Sequence, residues 1–131
     1  TGDTYMNALF QNPGNDNGWL KLKLTGRTSN RAGIGARIHL LLETPDGERH
    51  VHRTVGTGGS FGCNPLRQEI GLGNAVAIRS AEVTWPASDS RQMFTNLHSG
   101  NFYEIAEGEE SARRIPLGRE VISPKSRRDI R

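Results

Sequence analysis

Residues 36–55 read ARIHLLLETPDGERHVHRTV: two alternating runs broken by Pro45-Asp46-Gly47. In the first run Ile38, Leu40 and Leu42 share one face, and in the second Val51 and Val55 do. A period of two is the mark of a strand with one dry side, and Pro-Asp-Gly is a strong turn signal. A two-residue turn at Asp46-Gly47 places residue 42 opposite 51 and residue 38 opposite 55, so the apolar faces coincide, as a stable register requires. His39, Leu41 and Glu43 then lie on the other face with His50, His52 and Thr54, and Glu43 faces His50.

The same texture extends outward. Trp19 to Leu24 alternates leucine with lysine, and the polar Gly26–Arg37 connection, GRTSNRAGIGAR, joins it to the hairpin. Downstream, Gly56–Gly62 is a glycine-rich link, and Leu66–Leu72 and Ala75–Trp85 read as strands. In the latter, Ile78 stands apart from Ala81, Val83 and Trp85, and Pro86 stops the run. Arg91–Leu97 and Asn101–Ala106 form a last pair around His98-Ser99-Gly100. Sixteen glycines and six prolines fit many short strands joined by turns. The expectation is an all-β fold, an antiparallel β-sandwich or closely related barrel of about seven strands over residues 19–107. Residues 1–18 form a lead-in, and 108–131 a charged, extended tail.

The chain has 131 residues and a formal charge of +3. Residues 111–131 hold seven basic groups and two acidic ones, a net of +5, which leaves −2 for residues 1–110. The basicity therefore belongs to the tail. A nucleic-acid groove needs cations interleaved with stacking aromatics on the folded body, and that pattern is missing. No apolar run approaches the roughly 20 residues that span a bilayer, so membrane insertion is not expected, and no signal peptide is visible. The opening Thr-Gly-Asp-Thr reads as a processed protein or a piece of a longer one. The single cysteine, Cys63, reads as a buried small hydrophobe.

Catalytic and ligand-binding patterns are thin. His50, His52 and Glu43 form a conceivable zinc set, but the plainer reading is a solvated strand face. Ser60 lies in a Gly-x-Ser-x-Gly context at 58–62, yet Cys63-Asn64-Pro65 opposes the helix that a nucleophile elbow requires. Asn12–Gly18 offers only the Asp16 carboxylate to calcium and reads as turns. Gly71-Leu72-Gly73 is too short for a dinucleotide fingerprint and reads as a sharp turn. No catalytic residue and no cofactor or metal is assigned.

The ordered set Gly26-x-x-Ser29-Asn30-Arg31-x-x-Ile34-Gly35-Ala36-Arg37, Gly59-Ser60-Phe61, Gly71-Leu72-Gly73 and Val83-x-Trp85-Pro86 resembles the ASPIC and UnbV domain. That module is known from cartilage acidic protein and bacterial exported proteins, and the likeness runs from about Trp19 to Ala106. Asn7–Asn12 looks like the closing strand of the FG-GAP (VCBS-type) β-propeller that usually precedes it. Ile70 stands where the family usually has an aromatic, Ala87 and Ser88 where glycine is common, and Gly62–Pro65 replaces a polar Ser-Gln pair. These departures touch loops.

The resemblance implies an exported, extracellular or cell-surface setting and a non-catalytic role in adhesion, scaffolding or assembly. The partner is a protein, a second copy of the chain or a glycan, with nucleic acid disfavoured. Residues proposed to meet it are Ser29, Asn30, Arg31 and Arg37 in and after the glycine connection, and Arg113, Arg114, Arg127 and Arg128 in the tail. Trp19, Phe61, Trp85 and Tyr103 offer a conceivable glycan-stacking platform, although Trp85 reads as core. The alternatives are a small serine- or metal-dependent hydrolase, and polyanion binding through the tail.

Overall fold

A computed structural model describes residues 8, 10–59, 61–63 and 65–118. Eight strands run in chain order: β1 Gly18–Thr25, β2 Arg37–Thr44, β3 Gly47–Thr54, β4 Gln68–Gly73, β5 Ala77–Thr84, β6 Arg91–Phe94, β7 Asn101–Ala106 and β8 Arg113–Ile115. They form two four-stranded sheets, ordered β4-β1-β7-β8 and β3-β2-β5-β6. The fold is an all-β sandwich without a closed barrel, and no helix occurs among the described residues.

Alternation builds the core. Leu20, Leu22 and Leu24 on β1, Ile38, Leu40 and Leu42 on β2, Ile70 and Leu72 on β4, and Tyr103 and Ile105 on β7 are all buried. Ala81, Val83, Trp85 and Phe94 complete the opposing sheet's inner face. Burying a large aliphatic side chain stabilises by roughly 1.5–3 kcal/mol, so these strands are held by their inner faces.

The hairpin forms with a different turn. Thr44 pairs with Gly47, which makes Pro45 and Asp46 the turn residues. Proline presets φ for the first turn position, and Gly47 takes a φ of 120°. Leu42 therefore faces Arg49, and Ile38 faces Arg53. Each pairing slips by two positions, so the inward and outward faces are unchanged.

β5 carries a bulge. Leu41 pairs with Ser80 and Leu42 with Ile78, which leaves Arg79 as the extra residue. That insertion places Ile78 and Ala81, three residues apart, on the same buried face.

Other sequence expectations are corrected. β6 and β7 are not a hairpin: β6 pairs with β5, while β7 pairs parallel to β1 in the other sheet. The His98-Ser99-Gly100 turn is closed locally, with Asn101 Nδ2 donating to the His98 and Ser99 carbonyls, while Gly100 N–H bonds to Trp19 O. The turn signal thus serves a crossing between sheets. Part of the expected tail is structured, because β8 pairs antiparallel with β7. Gly71-Leu72-Gly73 lies within β4 instead of turning sharply. Cys63 is exposed and unpaired.

Residues 10–17 carry no strand, and the Asn12 and Asn15 side chains accept from the Gly14 and Asn17 N–H groups in local turns. Asn7 and Leu9 of the propeller-like segment, Ser60, Asn64, Arg127 and Arg128 lie outside the described residues.

Candidate functional site

The polar Gly26–Arg37 connection folds inward, onto a carboxylate. Glu107 continues the inward alternation of Tyr103 and Ile105 and is 5% exposed. Its Oε2 accepts the N–H groups of Arg27, Thr28 and Ser29 at 2.7, 2.8 and 2.8 Å. Its Oε1 accepts the hydroxyls of Ser29 at 2.9 Å and Ser88 at 2.6 Å. Three successive N–H groups closing on one anion form a backbone nest. Burial pushes the Glu107 carboxyl up, but the Ser88 hydroxyl, the Ser29 and Arg27 N–H groups and the Ser29 hydroxyl outweigh it and hold it at about 2.

Gly26 permits the tight path of this loop. A β-carbon there would lie 2.2 Å from the Asn30 carbonyl oxygen. Beside the nest, the Gln92 side chain accepts the Trp85 Nε1–H and the Gly108 N–H at its Oε1. Its amide nitrogen donates to the carbonyls of Ala106 and Glu109. The loop and the end of β7 are thereby fixed to the sandwich.

Ser29, proposed from sequence as partner-binding, is thus buried and committed internally. Asn30 is exposed, and its side chain accepts the Ala32 N–H at 2.9 Å. Arg31 is exposed. Arg113 bonds to Glu104, whose carboxyl that guanidinium holds down at about 2 against the pull of burial, helped by Thr25 and Lys23. Arg114 is exposed on β8. Arg37 lies apart from all of these, on the outer face of β2.

That face carries the concentration of polar chemistry. Its rows follow from the registers: Thr54, Arg37, Thr84 and Arg91 cross β3, β2, β5 and β6 in one row, and His52, His39, Glu82 and Met93 in the next. The His39 ring stacks on His52 at 4.4 Å, with planes 2° apart, and on His50 at 5.1 Å. A 2.8 Å hydrogen bond joins His39 Nε2 and His50 Nδ1. A concavity of about 260 Å³ opens here, lined by side chains of these two rows together with Ile38 and Arg53.

The conceivable zinc set of His50, His52 and Glu43 is not assembled. Glu43 faces Glu48 instead of His50, because of the turn position, and binds Arg79 at 3.1 Å. The lone pairs of nearly parallel imidazoles do not converge on one ion, and no group of three metal-ligating side chains occurs among the described residues. The four-aromatic platform also fails. Trp85 and Tyr103 are buried, while Phe61 is fully exposed in a loop.

Sequence reading placed the histidines on an outer strand face but missed their stacking and missed Glu107. The signal for Glu107 was the inward period continuing past Ile105.

A family model described as ASPIC and UnbV matches residues 26–112. The match begins at the glycine whose backbone approaches Asn30 and extends past Glu107, so it contains both halves of the buried clamp. A search of curated proteins finds no match.

Proposed function

The chain belongs to the ASPIC and UnbV family, and we propose that it is a non-catalytic interaction module working in an exported, extracellular or cell-surface setting. Its place is beside a β-propeller, as the resemblance of Asn7–Asn12 implies. Its partner docks on the outer face of the β3-β2-β5-β6 sheet. One observation carries this reading. Glu107 takes up the Arg27, Thr28 and Ser29 N–H groups and the Ser29 hydroxyl of the family's signature loop, whereas on the sheet face Arg37, His52 and Arg91 are exposed and His39 is half-buried. A broad sheet face suits covering by a partner better than enclosing a small substrate, which favours concave, largely apolar pockets.

The test is a binding panel with the chain immobilised, offered extracellular proteins, glycans and a second copy of itself. Saturable binding that is lost in the double variant Arg37→Glu/Arg91→Glu and kept in Asn30→Ala supports the reading. Binding indifferent to that reversal, or turnover of ester or glycosidic substrates by the purified chain, overturns it.

A further inference from the structure

We propose that the concavity on the outer face of β2, β3, β5 and β6 binds the oxyanion groups of an acidic polysaccharide. The proposal rests on the reading of this face as the docking surface and names the chemistry of its occupant.

Two guanidiniums, Arg37 and Arg91, stand in one outer row of the concavity near one carboxylate, Glu82; Arg53 also borders it but pairs with the inward-facing Ile38. Six other cations are paired with carboxylates among the described residues. Lys21 and Arg67 share Glu69, Lys23 and Arg113 share Glu104, Arg27 takes Glu109, and Arg79 takes Glu43. Arg37 and Arg91 have no carboxylate partner among the described residues, and Arg53 bonds only to the His52 carbonyl at 3.0 Å. Arg31, Arg49 and Arg114 also lack a carboxylate partner among the described residues, but they lie on separate elements, whereas Arg37 and Arg91 share one cross-strand row with Thr54 and Thr84. Guanidinium forks match the paired oxygens of sulfate and carboxylate.

The rest of the lining chooses among anionic polymers. Protein partners need a central apolar or aromatic anchor, and the one apolar residue bordering this concavity, Ile38, is buried in the core, so arginine, histidine, threonine and glutamate make up the rest of the lining. Single-stranded nucleic acid needs aromatic faces along a groove, and the exposed Phe61 and half-exposed Trp19 lie on other elements. An acidic polysaccharide presents oxyanions and hydroxyls and little apolar surface. Thr54, Thr84, the imidazole N–H groups and the Glu82 carboxylate meet its hydroxyls, while the guanidiniums meet its charges. At about 260 Å³ the concavity is smaller than the roughly 300–1,000 Å³ of sites that engulf a drug-sized ligand. It therefore fits one charged residue of a longer polymer.

The test is titration calorimetry of the full chain with a heparin-derived oligosaccharide, an oligogalacturonate and uncharged dextran at low salt. The proposal expects saturable binding of at least one charged oligomer and none of dextran. The double variant Arg37→Ala/Arg91→Ala should weaken that binding about tenfold or more, because both charge-assisted contacts are lost. Both arginines are exposed and unpaired with carboxylates, so an unchanged near-ultraviolet spectrum is the folding control. Arg127→Ala/Arg128→Ala should change affinity less than about twofold, which separates the sheet from the tail. Absence of binding to either charged oligomer overturns the proposal, as does loss through the tail variant alone. If the protein panel meanwhile shows partner binding that depends on Arg37 and Arg91, the docking face stands and only its proposed occupant fails.

Discussion

Glu107 and Ser29, 78 residues apart in sequence, meet in a doubly bonded contact: the Ser29 N–H donates to Oε2 at 2.8 Å and its hydroxyl to Oε1 at 2.9 Å. With Arg27, Thr28 and Ser88 completing the set, one carboxylate closes the signature loop against the end of β7.

Replacing Glu107 with glutamine sets amide hydrogens against donors and removes the charge that five groups address. The loss should be on the order of 3 kcal/mol, within the range for an unpaired buried polar group in a charged network. Urea unfolding of Glu107→Gln against the parent chain checks it. A change below about 1 kcal/mol would mean that the clamp does not hold the loop.

The same contact sets an acid limit. Glu107 and Glu104 are held at about 2, below the ordinary glutamate value of 4.5. A depressed carboxyl stabilises the fold fully above the unfolded value, so that stability is lost as pH falls from about 4.5 toward 2. Circular dichroism melts across that range should show a falling midpoint, and Glu107→Gln should flatten the slope.

Gly26→Ala should cost more than about 2 kcal/mol, because its β-carbon would collide with backbone at Asn30 O. Gly56→Ala, with nothing within 4 Å of the added carbon, should stay within about 0.5 kcal/mol. Equal effects at the two sites would refute the packing argument for the loop.

Deletion of Arg79 removes the bulge that keeps Ile78 and Ala81 facing inward together. One end of β5 must then turn over, and loss of the buried Ile78 side chain should cost about 2–4 kcal/mol. Arg79→Ala, which keeps the residue count and loses only the exposed pair with Glu43, should cost less than about 1 kcal/mol. Comparable losses for both would contradict the bulge.

These contrasts show what the sequence discloses. The inner faces of β1, β2 and β5 are legible because burial enforces a period of two, and the isolated Ile78 was the bulge's own signature. The hairpin register was missed because Pro45 favours the first turn position, which shifts the turn by one residue. The pairing of β7 with β1 has no local signal, since the turn at His98-Ser99-Gly100 looks the same whether the next strand returns or crosses. Glu107 stands among Glu109 and Glu110, and only its parity with Tyr103 and Ile105 marks it as the inward one. The histidine face was legible as an outer face, but stacking between β2 and β3 depends on the register that Pro45 sets.

The most direct test of the docking face is hydroxyl-radical footprinting of the chain bound to its best partner from the panel. Met93 is 61% exposed, and it shares the face with His39, His50 and His52, all of which report oxidation. Protection of Met93 and the three histidines, with Phe61 unchanged, is the predicted result. Protection confined to Phe61 or to the 26–31 loop, with Met93 oxidised as in the free chain, would contradict it.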